Sequence, residues 1–340
     1  MVRTMSLLRA LLRTARMIRH TPRLADGLPP DDAVLLDAPD GRMAPSLVAA
    51  ALGDWAPAAR LLSEVREGAD WESRDRYVAR LSSFAYARDD WLSGWLAHAP
   101  CDPDALVVKA ELEVRRAWAS PARAERLREM GPLIDAAADC APQDPVPWRI
   151  ALDHARGTHA THTAFEALWE RAVRRSAHHY GCHVAALRYL SAQWYGSHGE
   201  CFDFAEKAAA DALPHSLIQA LPVHAAFARL LNGEGSSVHQ DRIDEAADRA
   251  VVLLADYPPA EPWPAEVRNL TAAVLVRRGR WEAALEQFRQ IGPYATTFPW
   301  SYFSDDPLGR FLDARQGVRH RLASTTPLRT RAARGSAADH

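Results

Sequence analysis

Cysteine is scarce and scattered. Cys101, Cys140, Cys182 and Cys201 are the chain's four. None closes a C-x-x-C pair, and the spacing fits reduced thiols in a cytoplasmic protein better than a disulfide framework. Long apolar runs are missing too. No stretch approaches the roughly 18–20 apolar residues of a membrane span. Arginines interrupt Leu7–Ile18 and so break the apolar core that a secretory leader needs. No segment alternates apolar and polar residues with β-branched enrichment, so no strand is expected. The one dense glycine segment, Gly233-Glu234-Gly235-Ser236-Ser237, is acidic and has no following lysine. It reads as a mobile loop and not as a phosphate cradle. Neither H-E-x-x-H nor G-x-S-x-G occurs, which removes two readable signatures of hydrolytic chemistry.

A net charge of −2 conceals an uneven distribution. Residues 1–24 carry six arginines and no acid, a charge of +6. Residues 313–340 carry six arginines against Asp313 and Asp339, a charge of +4, which leaves −12 on residues 25–312. An acidic body argues against nucleic acid as its partner and favours basic peptides. Residues 3–20 pattern as a basic amphipathic helix, with Leu7, Leu8, Leu11, Leu12, Ala15 and Ile18 on one side. It docks on the next helix, rests on a membrane surface or partner, or stays disordered. Residues 25–45, rich in proline, predict an irregular linker. From Gly317 onward the periodicity lapses and a disordered basic tail is expected over 317–340.

Between these ends the pattern is helix after helix. Breaks at Gly53, Gly68, Pro100, Pro121, Gly131, Pro142, Gly157, Gly181, Gly196, Pro214, Gly233, Pro258, Gly279 and Gly292 leave room for one helix each. Short connections imply antiparallel neighbours. Two segments also align without gaps. Gly53-Asp54-Trp55 precedes Ala58, Leu62 and Val65, and Gly279-Arg280-Trp281 precedes Ala284, Phe288 and Ile291. Both place their residues on one helical stripe. Asp89-Asp90-Trp91 with Trp95 is a weaker third copy. Ala99-Pro100-Cys101-Asp102-Pro103 repeats as Ala141-Pro142-Gln143-Asp144-Pro145. Here Asp is suited to cap a helix and Pro to begin it. Ser120-Pro121 and Asp306-Pro307 use the same device.

The Gly-x-Trp-x-x-Ala-x-x-x-(Leu/Phe) segments resemble the second-helix half of a tetratricopeptide repeat, and Asp-Pro resembles that family's turn between repeats. The resemblance implies an all-α, tetratricopeptide-like α-solenoid of antiparallel helix pairs over residues 46–316. A narrower likeness covers roughly residues 70–260. Arg116-Ala117-Trp118, Asp144-Pro145 with Trp148, and Trp194-Tyr195-Gly196-Ser197 with Glu200 and Phe204-Ala205 resemble a bacterial domain-of-unknown-function family. That family carries a Trp-x-Gly-Ser-x-x-Glu-x-x-x-Phe-Ala segment. Gly199-Glu200 stands where it usually has two glutamates. The likeness implies a helical fold and no particular activity.

Seven histidines crowd residues 154–198: His154, His159, His162, His178, His179, His183 and His198, with Cys182 and Cys201 nearby. His159/His162 and His179/His183 have helical spacing. Gly181 is expected to break the second pair's helix, and Gly157-Thr158 to put the first pair in a connection. Separate surface or inter-helix roles are therefore expected, with a metal-dependent or catalytic cluster as the alternative. Cys201, if it starts a helix, would have a lowered pKa. Asp89-Asp90 and Asp305-Asp306 sit where caps are needed. Most of the eleven tryptophans should pack between helices, with Trp263 and Trp300 semi-exposed beside prolines.

The least generic stretch is Leu190–Pro214. Leu187, Leu190 and Trp194 continue one helix face, Gly196 would end that helix in the left-handed conformation, and Ser197 would cap the next one. Phe202, Ala205, Ala209 and Leu213 would form its buried face. Trp194, Tyr195, His198 and Glu200 are the candidate partner-binding residues. No catalytic, cofactor-binding or metal-binding residue is assigned. The expected function is a non-enzymatic interaction module that takes a protein or peptide partner. A helical enzyme using His154–His198 and a membrane adaptor using residues 3–20 stand as alternatives.

Overall fold

The computed structural model describes residues 14, 16, 20, 22–232 and 238–325. Most of the amphipathic segment 3–20, the glycine segment 233–237 and the tail beyond 325 lie outside the described residues. The fold is all-α. Two compact units divide the chain: residues 38–257, and residues 1–37 together with 258–340.

In residues 38–257 the helices are α1 Ala44–Ala51, α2 Ala56–Glu67, α3 Trp71–Ala87, α4 Asp90–His98, α5 Pro103–Ala119 and α6 Arg123–Glu129. They continue as α7 Gly131–Cys140, α8 Val146–Gly157, α9 His162–Arg175, α10 Tyr180–Tyr189, α11 His198–Asp211, α12 Leu221–Leu231 and α13 Gln240–Leu254. Caps start several of them. Asp102 accepts from the Asp104 and Ala105 amides, Thr161 from Ala164 and Ser197 from Glu200, each satisfying an amide that lacks an intrahelical partner. Asp89 does not cap. Its carboxylate binds Arg116 at 2.8 Å instead.

One closing device recurs. Gly53 (φ 84°), Ala69 (φ 50°) and His159 (φ 61°) take left-handed backbone just after a helix. In each case the next amide bonds back five residues: Asp54 to Ala49, Asp70 to Val65 and Ala160 to Ala155. This is the Schellman closure, which pairs otherwise orphaned carbonyls. The aligned Gly53 and Gly279 segments therefore share a backbone, since Gly279 (φ 70°) is followed by the Arg280 amide bonding to Leu275. Ala58, Leu62 and Val65 are buried, as are Ala284, Phe288 and Ile291.

The core of this unit runs from Met43 to Ala151 as one apolar cluster, and a second forms around Leu152, Phe165, Ala186 and Tyr189. Trp91 and Trp95 are fully buried, and Trp55 stacks on Trp95 at 5.7 Å. Charge is buried as well. Arg74, wholly inaccessible, holds Asp104 at 2.6 Å and Asp144 at 2.5 Å and donates to the Leu62 carbonyl. Arg149 holds Glu111 at 2.6 Å and Asp75 at 2.7 Å. These pairs tie α2, α3, α5 and α8 together. Asp144 therefore does more than the Asp-Pro pattern implied, accepting from the Val146 amide while pairing with Arg74.

In the second unit, β1 Leu35–Leu36 and β2 Tyr294–Ala295 pair in parallel, Leu35 opposite Tyr294. Two residues each are too few to leave an alternating pattern, so strand was not expected here. Its helices are α14 Ala265–Arg277, α15 Trp281–Ile291, α16 Thr297–Trp300 and α17 Pro307–Thr325. Trp300 is buried, not semi-exposed, because its indole N–H donates to Asn269 at 2.8 Å and its ring packs on Phe288 and Phe311. Asp306 accepts from the Gly309 amide and caps α17. That helix runs through Gly317 on a buried stripe of Phe311, Ala314, Val318 and Leu322, so residues 317–325 are helical and not tail. Arg315 donates to the Pro29 carbonyl and pairs with Asp31, which makes residues 29–31 part of a packed unit instead of a free linker.

Candidate functional site

Three chain segments of residues 38–257 converge beyond the end of α5. The first is the turn after it. Trp118 lies near the helix end, the Ser120 hydroxyl accepts from the Ala122 amide at 3.2 Å, and Arg123 donates to the Trp118 carbonyl at 3.2 Å. The following helix α6 buries only Leu127.

The second segment is the end of α8. A Cβ on Gly157 would lie 2.3 Å from Leu127 Cδ1 and 2.7 Å from Trp118 Cζ2. Glycine here lets the Trp118 indole rest against the helix backbone. His154 donates to the Leu127 carbonyl at 2.7 Å, and burial holds its pKa below the ordinary histidine value. Its neutral imidazole is thus a fixed strut between α8 and α6.

The third is the corner between α10 and α11. The Tyr195 amide reaches back to the Tyr189 carbonyl at 3.1 Å, and the Trp194 amide to Ser191 at 2.9 Å. Gly196 is required, though not for left-handed backbone. A Cβ there would sit 2.2 Å from the Leu190 carbonyl oxygen. The Tyr195 ring stacks on Tyr189 at 4.6 Å, and Tyr189 stacks on Phe165. The Tyr195 hydroxyl donates to the Arg156 carbonyl at 3.0 Å and accepts from His159 Nδ1 at 2.6 Å. Burial raises the Tyr195 pKa above the ordinary tyrosine value, against a smaller lowering by Arg156.

Where the segments meet, Trp118 and Trp194 pack edge to face at 5.4 Å. The Arg156 guanidinium lies 4.3 Å from the first ring's centre and 4.7 Å from the second's. Arg123 covers Trp118 at 5.0 Å. These distances suit cation–π contact, worth roughly 0.5–2 kcal/mol each. Beside them opens a cleft of about 570 Å³ lined by Ser120, Arg123, Glu125, Arg128, His159 and Trp194 among others.

The four sequence candidates part company here. Trp194 lines the cleft, and Tyr195 stands behind it and fixes His159. His198 and Glu200 lie on the first turn of α11 and do not line it. His198 is half-buried, its pKa lowered by burial and then by Arg229, and Glu200 is exposed. Arg123, Arg128 and His159, which line the cleft, and Arg156, which packs on its tryptophan, are residues that the sequence reading passed over as interaction groups. The signal was faint: an Arg-Gly step ending one helix and a Ser-Pro turn ending another.

The histidines do not converge. His154 and His159 have the partners just described, His162 packs on Tyr189, and His183 packs edge-on to Trp169. His179 is buried just before α10, with Cys182 Sγ 3.1 Å from its Nδ1. Gly181 does not break that helix. It sits in the first turn, where a side chain would strike Asp75. Among the described residues no group of three or more His, Cys, Asp or Glu is arranged to hold a metal ion. Ser197 is a cap, and no base is bonded to its hydroxyl. Cys201 is buried on α11, and burial pushes its thiol up to about 12, the reverse of the expected lowering.

No family model matches the sequence, and no curated protein or solved structure matches the chain. Among the described residues no helix is long and apolar enough to cross a membrane.

Proposed function

We propose that this chain is a non-catalytic interaction module, a tetratricopeptide-like array of helix pairs that binds a peptide segment of a partner protein. The observation that carries the reading is the cleft beside Trp194, whose aromatic and guanidinium groups are already packed into place before any ligand arrives. Preorganised aromatic and arginine side chains at the wall of a concave site are the usual carriers of binding energy, because little rotamer entropy remains to be lost. The recurrence of one Gly-x-Trp turn with the same backbone and buried stripe supports the helical-array part of the reading.

Selection of displayed random peptides on the purified chain tests it. Peptides that bind the native chain should be lost on Ala124→Trp, which fills the cleft from its rim, and weakened on Trp194→Ala. Both variants should keep a native melting transition. Selection of no peptide, or of peptides indifferent to Ala124→Trp, would refute the reading.

A further inference from the structure

We propose that the cleft recognises a carboxylate side chain on the bound peptide, an inference that rests on the reading of the chain as a peptide-binding module. The charges facing the cleft are opposite in sign to the body that carries it. Arg123, Arg128 and His159 line it against a single acid, Glu125. Arg128 is exposed and, among the described residues, has no hydrogen-bond or ion-pair partner, while Arg123 engages only a backbone carbonyl and the Trp118 ring there. Glu125 pairs with neither. Several arginines elsewhere in the same unit are held by acids. Arg66 binds Asp104, Arg116 binds Asp89 and Glu113, Arg149 binds Asp75 and Glu111, and Arg242 binds Asp203 and Glu206. Two guanidiniums without carboxylates at one concave site leave the Arg128 fork and the terminal N–H groups of Arg123 open to an acid. A carboxylate is the peptide group whose geometry matches such a fork.

His159 adds a third polar group. Tyr195 engages Nδ1 and the left-handed backbone fixes the ring's origin, so the other edge of the imidazole is held at the cleft. Trp194 supplies an apolar wall. At about 570 Å³ the cleft holds a few side chains, not a folded domain.

The acidic body, residues 25–312, suggests a basic partner. That argument holds at long range, but fields from the acidic body are screened beyond about 8 Å at physiological salt. Contact pairs lie well within that distance. The same body charge disfavours a polyacidic tract, so the occupant is a segment with an isolated Glu or Asp beside an aromatic or aliphatic residue.

The test uses the full chain and three blocked peptide libraries. Flanking positions are randomised, and the centre is fixed as Glu, Gln or Lys. Enriched peptides are titrated calorimetrically, with inorganic phosphate as a competing anion. The Glu-centred library should enrich, and its peptides should bind about tenfold or more tightly than their Gln counterparts, the worth of one charge-assisted bond. Arg128→Glu, at an exposed unpaired position, should leave the melting temperature unchanged, weaken the Glu peptides by a similar factor and improve the Lys peptides. Tighter Gln or Lys peptides that still depend on an unfilled cleft would overturn the carboxylate assignment and leave the module reading standing. Enrichment from no library would overturn both. Binding of phosphate with no retained peptide would also overturn this proposal, by making the cleft a site for another kind of anion.

Discussion

At the scale of single residues, two glycines show how close approach, and not flexibility, fixes a site. Gly157 and Gly196 take ordinary backbone angles, yet each faces an atom where Cβ would have to be. At Gly157 the obstacles are the ends of side chains, Leu127 and Trp118, which can shift. Gly157→Ala should cost about 1–3 kcal/mol, the range for overpacking, with Trp118 displaced. At Gly196 the obstacle is the Leu190 carbonyl itself. Gly196→Ala should cost more than Gly157→Ala and loosen the Trp194–Tyr195 corner. Urea denaturation of both variants checks the order. Arginine offers a parallel contrast. Arg74 is buried between Asp104 and Asp144, so Arg74→Met strands Asp144, leaves Asp104 to Arg66 alone and should cost about 3–5 kcal/mol. Arg128 is exposed and pairs with no acid among the described residues, so Arg128→Gln should stay within about 0.5 kcal/mol of the native chain.

At the scale of elements, the helix ends carry more information than the helix middles. Gly53, Ala69, His159 and Gly279 perform one closure with three residue types. Left-handed backbone costs an L-residue about 1–2 kcal/mol, and glycine returns part of that gain as unfolded-state entropy. Ala69→Gly should therefore stabilise the chain by about 0.5–1 kcal/mol, and Gly53→Ala should destabilise it by a similar amount. A Cβ at Gly53 meets nothing closer than 4.0 Å, so the Gly53 effect is conformational alone. Thermal melts of the two single variants and their double test both signs and their additivity. The glycine copies were legible in the sequence because glycine announces the turn. Ala69 and His159 were not, because neither residue type signals left-handed backbone. The corner before α11 was half legible. Ser197 caps as its type suggests and Phe202, Ala205 and Ala209 are buried, whereas Leu213 ends beyond the helix and is 54% exposed.

At the scale of the whole molecule, buried titratable groups set how stability follows pH. Burial alone would lower the His179 pKa, but the Cys182 sulfur and the Asp75 and Glu72 carboxylates outweigh it and push it up to about 10. Its folded pKa exceeds the unfolded value near 6.5, so its contribution is complete below that value and is lost as pH rises toward 10. His224 is the opposite case. Burial, then Arg188, lowers its pKa to about 3. Its contribution is complete above about 6.5 and is lost as pH falls toward 3. Cys201, raised to about 12 by burial, adds a loss above the ordinary thiol value near 8.5. Stability should therefore peak near neutrality and fall on both sides. Urea midpoints between pH 4 and 10 measure the profile. His179→Gln should flatten the alkaline limb, and His224→Gln the acid limb. Arg242, pulled up by Glu206 and Asp203, stays charged throughout and adds no slope.

By itself the sequence determined the helical class, the order of most helices, many of their caps and the chemistry of the Trp194 corner. These follow from local rules: apolar periodicity, capping side chains and turn residues act over a few neighbours and are written in order along the chain. Tertiary structure decided the rest. Trp118, Arg156 and Trp194 meet only because helices far apart in sequence pack together, and their pairing leaves no periodic trace. The burial of Trp300 rests on Asn269, the helical state of 317–325 on a stripe that tolerates one glycine, and the elevated Cys201 thiol on its burial against Leu187. The charge of the cleft is likewise opposite to the sum over the body. A sum over sequence averages charge across the molecule, whereas a bound group feels chiefly the few side chains within contact distance.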